Sequence, residues 1–269
     1  MRVLAFIAGS SLLLQLHVAT HRRQSAWLSS LIKTRTTQTE PTANPIAQAQ
    51  SALGTGSGGL RQALDAAFAL LRAASERPLV GARLEAQLGL AHARFGVLEL
   101  ADVDARTLPR DTQKAYVHAW VRNMLHLDPD AQLVRWQVQR GGSSVLVSCI
   151  SEEAYGTLSI FCSEHGLAFT SCTPAALAVT RAEYQRKAVS VIWTECLGSQ
   201  REPTVQMLHL DDGAVRATWR GWMPSSPFGS AEEELHAAAL RFQAFHGIGD
   251  GEHLSRLQWP ACAQSAGAQ

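Results

Sequence analysis

The stretch RLEAQLGLAHARFGVLEL (residues 83–100) begins the part of the chain that decides the fold. Its first six residues alternate polar and apolar side chains, so that Leu84, Ala86 and Leu88 share one face. This period of two is typical of a half-buried β-strand. Residues 93–100 are rich in large apolar side chains and predict a second strand after a short turn. Two consecutive strands are therefore expected here.

A helix is expected after these strands. Thr107 or its neighbour fits the N-cap position, and Pro109 fits the first turn. Pro129 follows the end of the helix, because proline disfavours helical backbone in the residue before it. The stripe predicted to lie on a sheet consists of Ala115, Ala119, Arg122 and Leu125, with Tyr116, Trp120 and Met124 beside them.

The alternation of strands and helices continues to residue 172. Residues 133–150 contain two alternating runs joined by Gly141-Gly142, which predicts a β-hairpin because its tight turn requires positive φ angles. A helix with acidic residues in its first turn runs over Ser151–His165, and Gly166 fits its C-terminal cap. A short strand at residues 167–172 ends this central stretch.

Composition limits the function classes. The chain has 269 residues, 46% of them hydrophobic, and a net charge of +1, so nothing in it favours a nucleic-acid partner. No apolar run is long enough for a transmembrane helix. The cysteines are odd in number and form no CxxC motif, which indicates buried, reduced thiols in a reducing compartment. They are Cys149, Cys162, Cys172, Cys196 and Cys262.

The N-terminal segment permits two interpretations. Residues 3–18 could form a signal peptide, but Gln15 and His17 interrupt the apolar run and alternate with apolar residues as in a strand. A β-hairpin that turns at Gly9–Ser11 is therefore favoured. Residues 25–32 are expected to add a third strand, and residues 34–59, rich in Thr, Gln, Ala, Pro and Gly, to form a flexible linker.

The rest of the chain repeats this pattern of strand pairs ahead of single helices. The further predicted elements are a helix over residues 60–75 with Leu60, Leu64, Phe68 and Leu71 on one side, a helix from Thr173-Pro174 to Arg186, a strand at 188–195, a hairpin over 204–222, a helix over 230–245 and a strand at 254–259. The openings near Val3 and Ala188 form a coarse repeat in kind. The expected fold class is α/β, with mixed sheets that contain hairpins.

No residue pattern predicts catalysis or metal binding. Residues 54–59 have the glycine density of a phosphate loop but no lysine, so they are interpreted as linker. Cys162, His165 and Cys172 could form part of a zinc site, but core cysteines and a histidine at a helix end are favoured. The acidic pairs at 152–153 and 232–234 begin helices, where carboxylates are expected.

One strand carries both aromatic and basic residues: Arg216, Trp219, Arg220 and Trp222. A strand of this kind could bind a partner chain at a sheet edge. It could equally be the packed face of the second hairpin. The sequence leaves both interpretations open.

The order of elements resembles the bacterial actin-like proteins of the PilM and GspL-cytoplasmic type, from type IV pili and type II secretion machines. The resemblance extends over nearly the whole chain. The matching segments are the hairpin at 3–18, the helix at 60–75, the strands LEAQL (84–88) and FGVLEL (95–100), RWQV (135–138) and LAFTSCTPA (167–175).

The resemblance implies an actin-like fold with a first subdomain at 60–187 and a partial second subdomain at 188–259. The opening strands at 1–33 and the linker at 34–59 precede them, and residues 260–269 are expected to form a disordered tail. Gly9, Ser10 and Ser11 match a degenerate first phosphate loop, but Ile7 holds the position of its acid. The second loop, at 194–200, lacks the Asp-x-Gly pattern. No cofactor is therefore expected, because a magnesium phosphate site needs a carboxylate.

The same resemblance implies a non-catalytic scaffold on the cytoplasmic face. Its expected partner is a segment of an inner-membrane protein of a pilus or secretion assembly. The alternatives are an enzyme of unknown specificity on an α/β fold, and an exported protein if the N-terminus is a signal peptide.

Overall fold

The computed structural model describes residues 1–8, 11–17, 47–52, 57–175, 177, 188–195, 204–211, 214–222, 231–248 and 253–256. The elements in chain order are β1 (Arg2–Ala8), β2 (Ser11–His17), β3 (Ala47–Ala52), α1 (Ser57–Ala74), β4 (Arg83–Leu88), β5 (Ala93–Glu99), α2 (Arg110–Met124), β6 (Gln132–Val138), β7 (Ser144–Ser151), α3 (Glu152–Glu164), β8 (Ala168–Pro174), β9 (Ala188–Glu195), β10 (Thr204–Asp211), β11 (Ala214–Trp222), α4 (Ala231–Phe245) and β12 (His253–Arg256). Short 3₁₀ turns precede α2 and β6.

The first sheet is built around β1. Its strand order is β3-β2-β1-β4-β8, in which β1 pairs antiparallel with β2 and parallel with β4. One face of this sheet lies under α1 and α3 in a shared apolar core that includes Phe68 and Phe161. The residues of β1 and β4 on that face are almost fully buried: Val3, Ala5, Ile7, Leu84, Ala86 and Leu88.

The N-terminal hairpin prediction is confirmed, since β1 and β2 pair from Arg2 opposite His17 to Ala8 opposite Ser11. Cleavage of residues 1–19 as a signal peptide would remove two adjoining strands of the first sheet, including the strand at its centre. Strands β1 and β2 therefore contribute buried residues to the core.

The second half repeats the first. Its sheet has the order β11-β10-β9-β12, with β9 antiparallel to β10 and parallel to β12. Helix α4 lies between β11 and β12 in the chain, as α1 lies between β3 and β4. Leu235, Ala239 and Phe242 of α4 pack with Val205 and Met207 of β10. The coarse repeat seen in the sequence is thus a repeat of strand order and direction.

The segment from β5 to β7 is inserted into the first half and is called the inserted sheet below. Its three strands are antiparallel in the order β5-β7-β6, and α2 covers one face. The Gly141-Gly142 turn is confirmed, with φ angles of 105° and 84°. Trp136 of β6 donates its indole N–H to Gln113 Oε1 at 3.2 Å, and the Arg110 guanidinium lies 4.1 Å from the centre of the same ring.

The predicted apolar stripe of α2 is largely wrong. Val117 and Val121 form the buried face, in one cluster with Val145, Val147 and Cys149 of β7. Trp120 and Leu125 are partly buried beside it. The other predicted members are exposed: Ala115, Tyr116, Ala119, Arg122 and Met124. The helix carries apolar residues on several sides, so periodicity alone did not identify the packed side.

Several predicted boundaries also need correction. Strand β3 and the first turn of α1 lie within residues 34–59, so the linker prediction fails for them. The predicted strand at 25–32 lies outside the described residues. The two strands of residues 83–100 belong to different sheets. Thr107 does not cap α2, because its hydroxyl donates to the carbonyl of Asp104 at 2.8 Å and Pro109 holds the N-cap position.

The turn of the inserted sheet generates a stability prediction. Gly142 has a φ of +84°, and a Cβ added there would lie 2.1 Å from Asp104 Oδ1. Gly142→Ala should lower the free energy of unfolding by about 2–3 kcal/mol, since left-handed strain of about 1–2 kcal/mol adds to about 1 kcal/mol for the hydrogen bond that displaced Asp104 loses from the Arg106 amide.

Gly81→Ala is the matched control. Gly81 has a φ of +76°, but an added Cβ would meet nothing within 4 Å. It should therefore lose only the strain contribution of about 1–2 kcal/mol. Urea unfolding followed by circular dichroism measures both variants, and equal losses would contradict a role for the Asp104 contact.

Candidate functional site

The first candidate site is the end of β1, where the resemblance expects a phosphate loop. Gly9 and Ser10 lie outside the described residues, and Ser11 begins β2 opposite Ala8. Ile7 is completely buried in the core under the helices. Its neighbours Phe6 and Ala8 share a separate buried cluster with Leu13 and Ala175. The C-terminal end of β1 therefore carries apolar side chains on both faces.

The second expected phosphate loop follows β9. Thr194 and Glu195 end this strand and pair with Val205 and Thr204 of β10, whereas residues 196–203 lie outside the described part of the chain. The loop prediction therefore stays a prediction.

Strand β10 carries a feature that the sequence did not indicate. Thr204 and Gln206 are only 1% and 2% exposed. Thr204 Oγ1 and Gln206 Oε1 have no hydrogen-bond partner among the described residues. Both side chains lie on the same side of the strand as Leu208, which packs between the two halves of the chain.

The proposed partner-binding residues lie on β11, an edge strand of the second sheet. Arg216 is exposed at a bulge in the pairing with β10, with its Nε 3.5 Å from Asp211 Oδ2. Trp219 is 39% exposed, and its ring lies against Gly221 on the same face of the strand. Arg220 is half-buried and points to the other face. Trp222 ends the strand opposite Thr204.

These residues therefore do not form one aromatic and basic face. Trp219 shares its face with Ala217, which packs against α4, whereas Arg220 lies on the face toward the first half. Among the three of these residues whose side chains the structure describes, Arg216 and Trp219 are exposed and Arg220 is half-buried.

The inserted sheet covers part of the β11 edge. The side-chain amide of Gln139 donates from Nε2 to the carbonyl of Val215, and Gln139 Oε1 accepts from the amide N–H of Val215, both at 2.8 Å. These two hydrogen bonds take the place of those that a residue of an added strand would form with the backbone of Val215. An added strand cannot pair with Val215 while the contact is made.

A second contact joins β5 to β11. A Cβ added to Gly96 would lie 2.6 Å from the Trp120 ring and 3.3 Å from Thr218 Oγ1, so glycine allows these elements to approach closely. His246, just after α4, is close enough to Glu99 at the end of β5 to interact with its carboxylate. Burial lowers the pKa of His246, and the Glu99 carboxylate opposes that shift. Sequence alternation could not predict these contacts between distant segments.

The suspected zinc residues have other environments. Cys162 is buried in the core of the first half. His165 caps the C-terminus of α3, with its ring centre 4.7 Å from that of Phe68 and its Nε2 3.3 Å from Asp65 Oδ1. Cys172 is part of edge strand β8. In the described ranges, no group of three or more His, Cys, Asp or Glu residues could hold a metal ion.

The acidic residues that were predicted to begin helices lie near the starts of α3 and α4. Glu152 and Glu153 lie in the first turn of α3, where Ser151 Oγ accepts from the Ala154 amide at 3.3 Å. Glu233 and Glu234 lie near the start of α4. As far as the chain is described, it contains no helix with the length and apolar character needed to cross a bilayer.

Comparison with known proteins bears on the fold. No protein-family model and no curated protein sequence matches the chain. A solved Bacteroides thetaiotaomicron protein with an actin-like ATPase fold and unknown function covers 98% of this chain and 84% of its own length, at 7% identity and a TM-score of 0.55. A chain of the PilM–PilN type IV pilus biogenesis complex covers 90% and 71%, at 11% identity and a TM-score of 0.52.

A weaker likeness is to the cytoplasmic domain of EpsL, an inner-membrane component of the type II secretion system of Vibrio cholerae. It covers 78% of this chain and 70% of that domain, at 12% identity and a TM-score of 0.44. The first two likenesses show that this chain has an actin-like fold, as the sequence resemblance implied. At these identities they show the fold alone.

The cysteines generate a prediction. Burial raises the pKa of Cys149 to about 12, which Arg94 opposes, and burial also raises the pKa of Cys162 to about 11 and of Cys172 to about 12. Because the thiolate is the reactive form, iodoacetamide at pH 8 should alkylate these thiols at least about a hundredfold more slowly in the native protein than in urea.

Peptide mass spectrometry after timed quenching measures each cysteine separately, and the urea-unfolded protein is the control. Native labelling of Cys149 at the urea rate would contradict the prediction.

Proposed function

We propose that this protein is a non-catalytic actin-like scaffold of a bacterial type IV pilus or type II secretion assembly. The actin-like fold supports the architectural part of the proposal, because one of the solved structures that share it belongs to a type IV pilus biogenesis complex. The observation that carries the non-catalytic part is the end of β1, where buried apolar side chains occupy both faces.

The physical reason is the chemistry of magnesium. Mg²⁺ with a bound phosphate is held through carboxylates that organise its waters. Strand β1 has no acidic residue, and Phe6, Ile7 and Ala8 are all less than 9% exposed. Whichever face of β1 is considered, its end offers no carboxylate to a metal-bound nucleotide. Nucleotide hydrolysis is therefore not part of the proposed function.

The proposed partner is a segment of an inner-membrane protein, and the proposed location is the cytoplasmic face of that membrane. PilM is found in a complex with PilN, which is the precedent for a partner of this fold. The proposed contact on this chain is β11, with Arg216 and Trp219 on its exposed surface and Arg220 and Trp222 along the same strand. Since the Gln139 side chain binds both backbone groups of Val215, the partner would contact side chains of β11 at that position.

The enzyme alternative receives little support. The described groups with shifted pKa values include Asp65 between α1 and α3, His92 at the β4–β5 turn and Cys149 in β7. Asp65 lies apart from the other two groups. His92 directly precedes β5, which pairs with the β7 strand that carries Cys149, but Cys149 is buried in the apolar cluster under α2. A catalytic site instead brings such groups together in one cleft.

Nucleotide binding is the first test. Titration calorimetry of the full chain with MgATP should give no saturable heat at concentrations up to about 1 mM, where a Kd corresponds to only about −4 kcal/mol. Phosphate release should equal that of buffer. A micromolar Kd for MgATP would refute the pseudo-ATPase part of the proposal and leave the scaffold part open.

Partner contact is the second test. A photo-crosslinking residue placed at Trp219 in the bacterium that encodes the protein should capture an inner-membrane component of a pilus or secretion assembly. The matched control is the same residue at Tyr116, which is 49% exposed on α2. Equal capture at both positions, or capture of soluble proteins alone, would contradict the proposed contact at β11.

A further inference from the structure

The second half of the chain meets the inserted sheet through an apolar cluster. Leu90 and Phe95 of the first half share this cluster with Leu208, Leu210 and Val215 of the second half, and each is 3% exposed or less. Val97 and Leu146 of the inserted sheet pack around it. Burial of these side chains removes apolar surface from water, which favours the observed contact between the two halves.

Strand β10 shows how complete this contact is. Every residue from Thr204 to Leu210 is buried. In a strand with one face open to solvent, buried and exposed residues would alternate. Val205 and Met207 face α4, whereas Leu208 and Leu210 face the first half. Strand β10 is therefore enclosed between α4 and the inserted sheet.

Polar contacts fix the position of this interface. The Gln139 amide makes its two hydrogen bonds of 2.8 Å to the backbone of Val215, the same residue whose side chain joins the apolar cluster. Gln139 Nε2 also lies 3.2 Å from Ser144 Oγ, which connects it to β7. At the neighbouring position, Gly96 allows β5 to approach Thr218 of β11.

We infer that the inserted sheet is a clamp that holds the two repeated halves of this chain in one fixed arrangement without a bound ligand. The apolar cluster and the Gln139 hydrogen bonds each join residues of the chain itself. The apolar cluster supplies the attraction, and the Gln139 contact sets the register. The clamp therefore keeps β10 buried when no nucleotide or other small molecule is present.

Hydrogen exchange measured by mass spectrometry on the full chain tests the clamp, because exchange rates report local opening. In the wild type without nucleotide, peptides covering β5, β10 and β11 should exchange slowly, and 1 mM MgATP should not change their rates. Gln139→Ala removes both hydrogen bonds to Val215 and should accelerate exchange in all three strands by about tenfold. Exchange in β1 and β4 should stay unchanged.

Two further variants keep the test decisive. Val97→Ala removes part of the cluster without touching the hydrogen bonds, so it should accelerate the same three strands. Gln137→Ala, at an exposed position two residues before Gln139, is the matched control and should exchange like the wild type. The clamp would be overturned if MgATP slowed exchange in β5 and β11, or if Gln139→Ala affected only the hairpin around residue 139.

Discussion

The parallel pairing of β1 with β4 is the constraint on which the rest of the structure depends. It joins Arg2 to Arg83 and Ile7 to Leu88 across a long separation in the chain. A slip of one residue would turn Glu85 and Gln87 toward the helices and expose Leu84 and Ala86. The ion pair between Arg2 Nη2 and Glu85 Oε2, at 2.5 Å, lies on the opposite face and agrees with the observed register.

The same constraint operates in the second half, where β9 pairs in parallel with β12. The second sheet repeats the order of the first four strands of the first sheet, and each sheet needs one covered face. Helix α4 covers the second sheet as α1 and α3 cover the first. The inserted sheet adds a third layer, since its apolar face covers the side of β10 that α4 leaves open. Both faces of β10 are therefore buried, whereas the hairpin predicted from the sequence needs only one buried face.

Local patterns predicted the elements better than their partners. The Gly141-Gly142 turn and the alternation in residues 83–88 identified a hairpin and a strand correctly, because both signals lie within a few residues. Strand β3 was missed because its sequence AQAQSA has low strand propensity, and its pairing with β2 compensates for that. The separation of β4 and β5 into different sheets depends on β1 and β7, which no local pattern contains.

At the candidate site, local sequence patterns also could not show which side chains face the expected phosphate position. Counting along the sequence placed Ile7 where an acid would stand, but only the register shows which face it occupies. Ile7 lies under the helices, so the residues of β1 on the other face are Phe6 and Ala8. Both are apolar and buried, so neither face at the end of β1 presents a carboxylate that could ligate a metal-bound phosphate. A single Ile7→Asp substitution would bury a charge beneath α1 and α3 without creating a phosphate site, since burial of an unpaired carboxylate is strongly unfavourable.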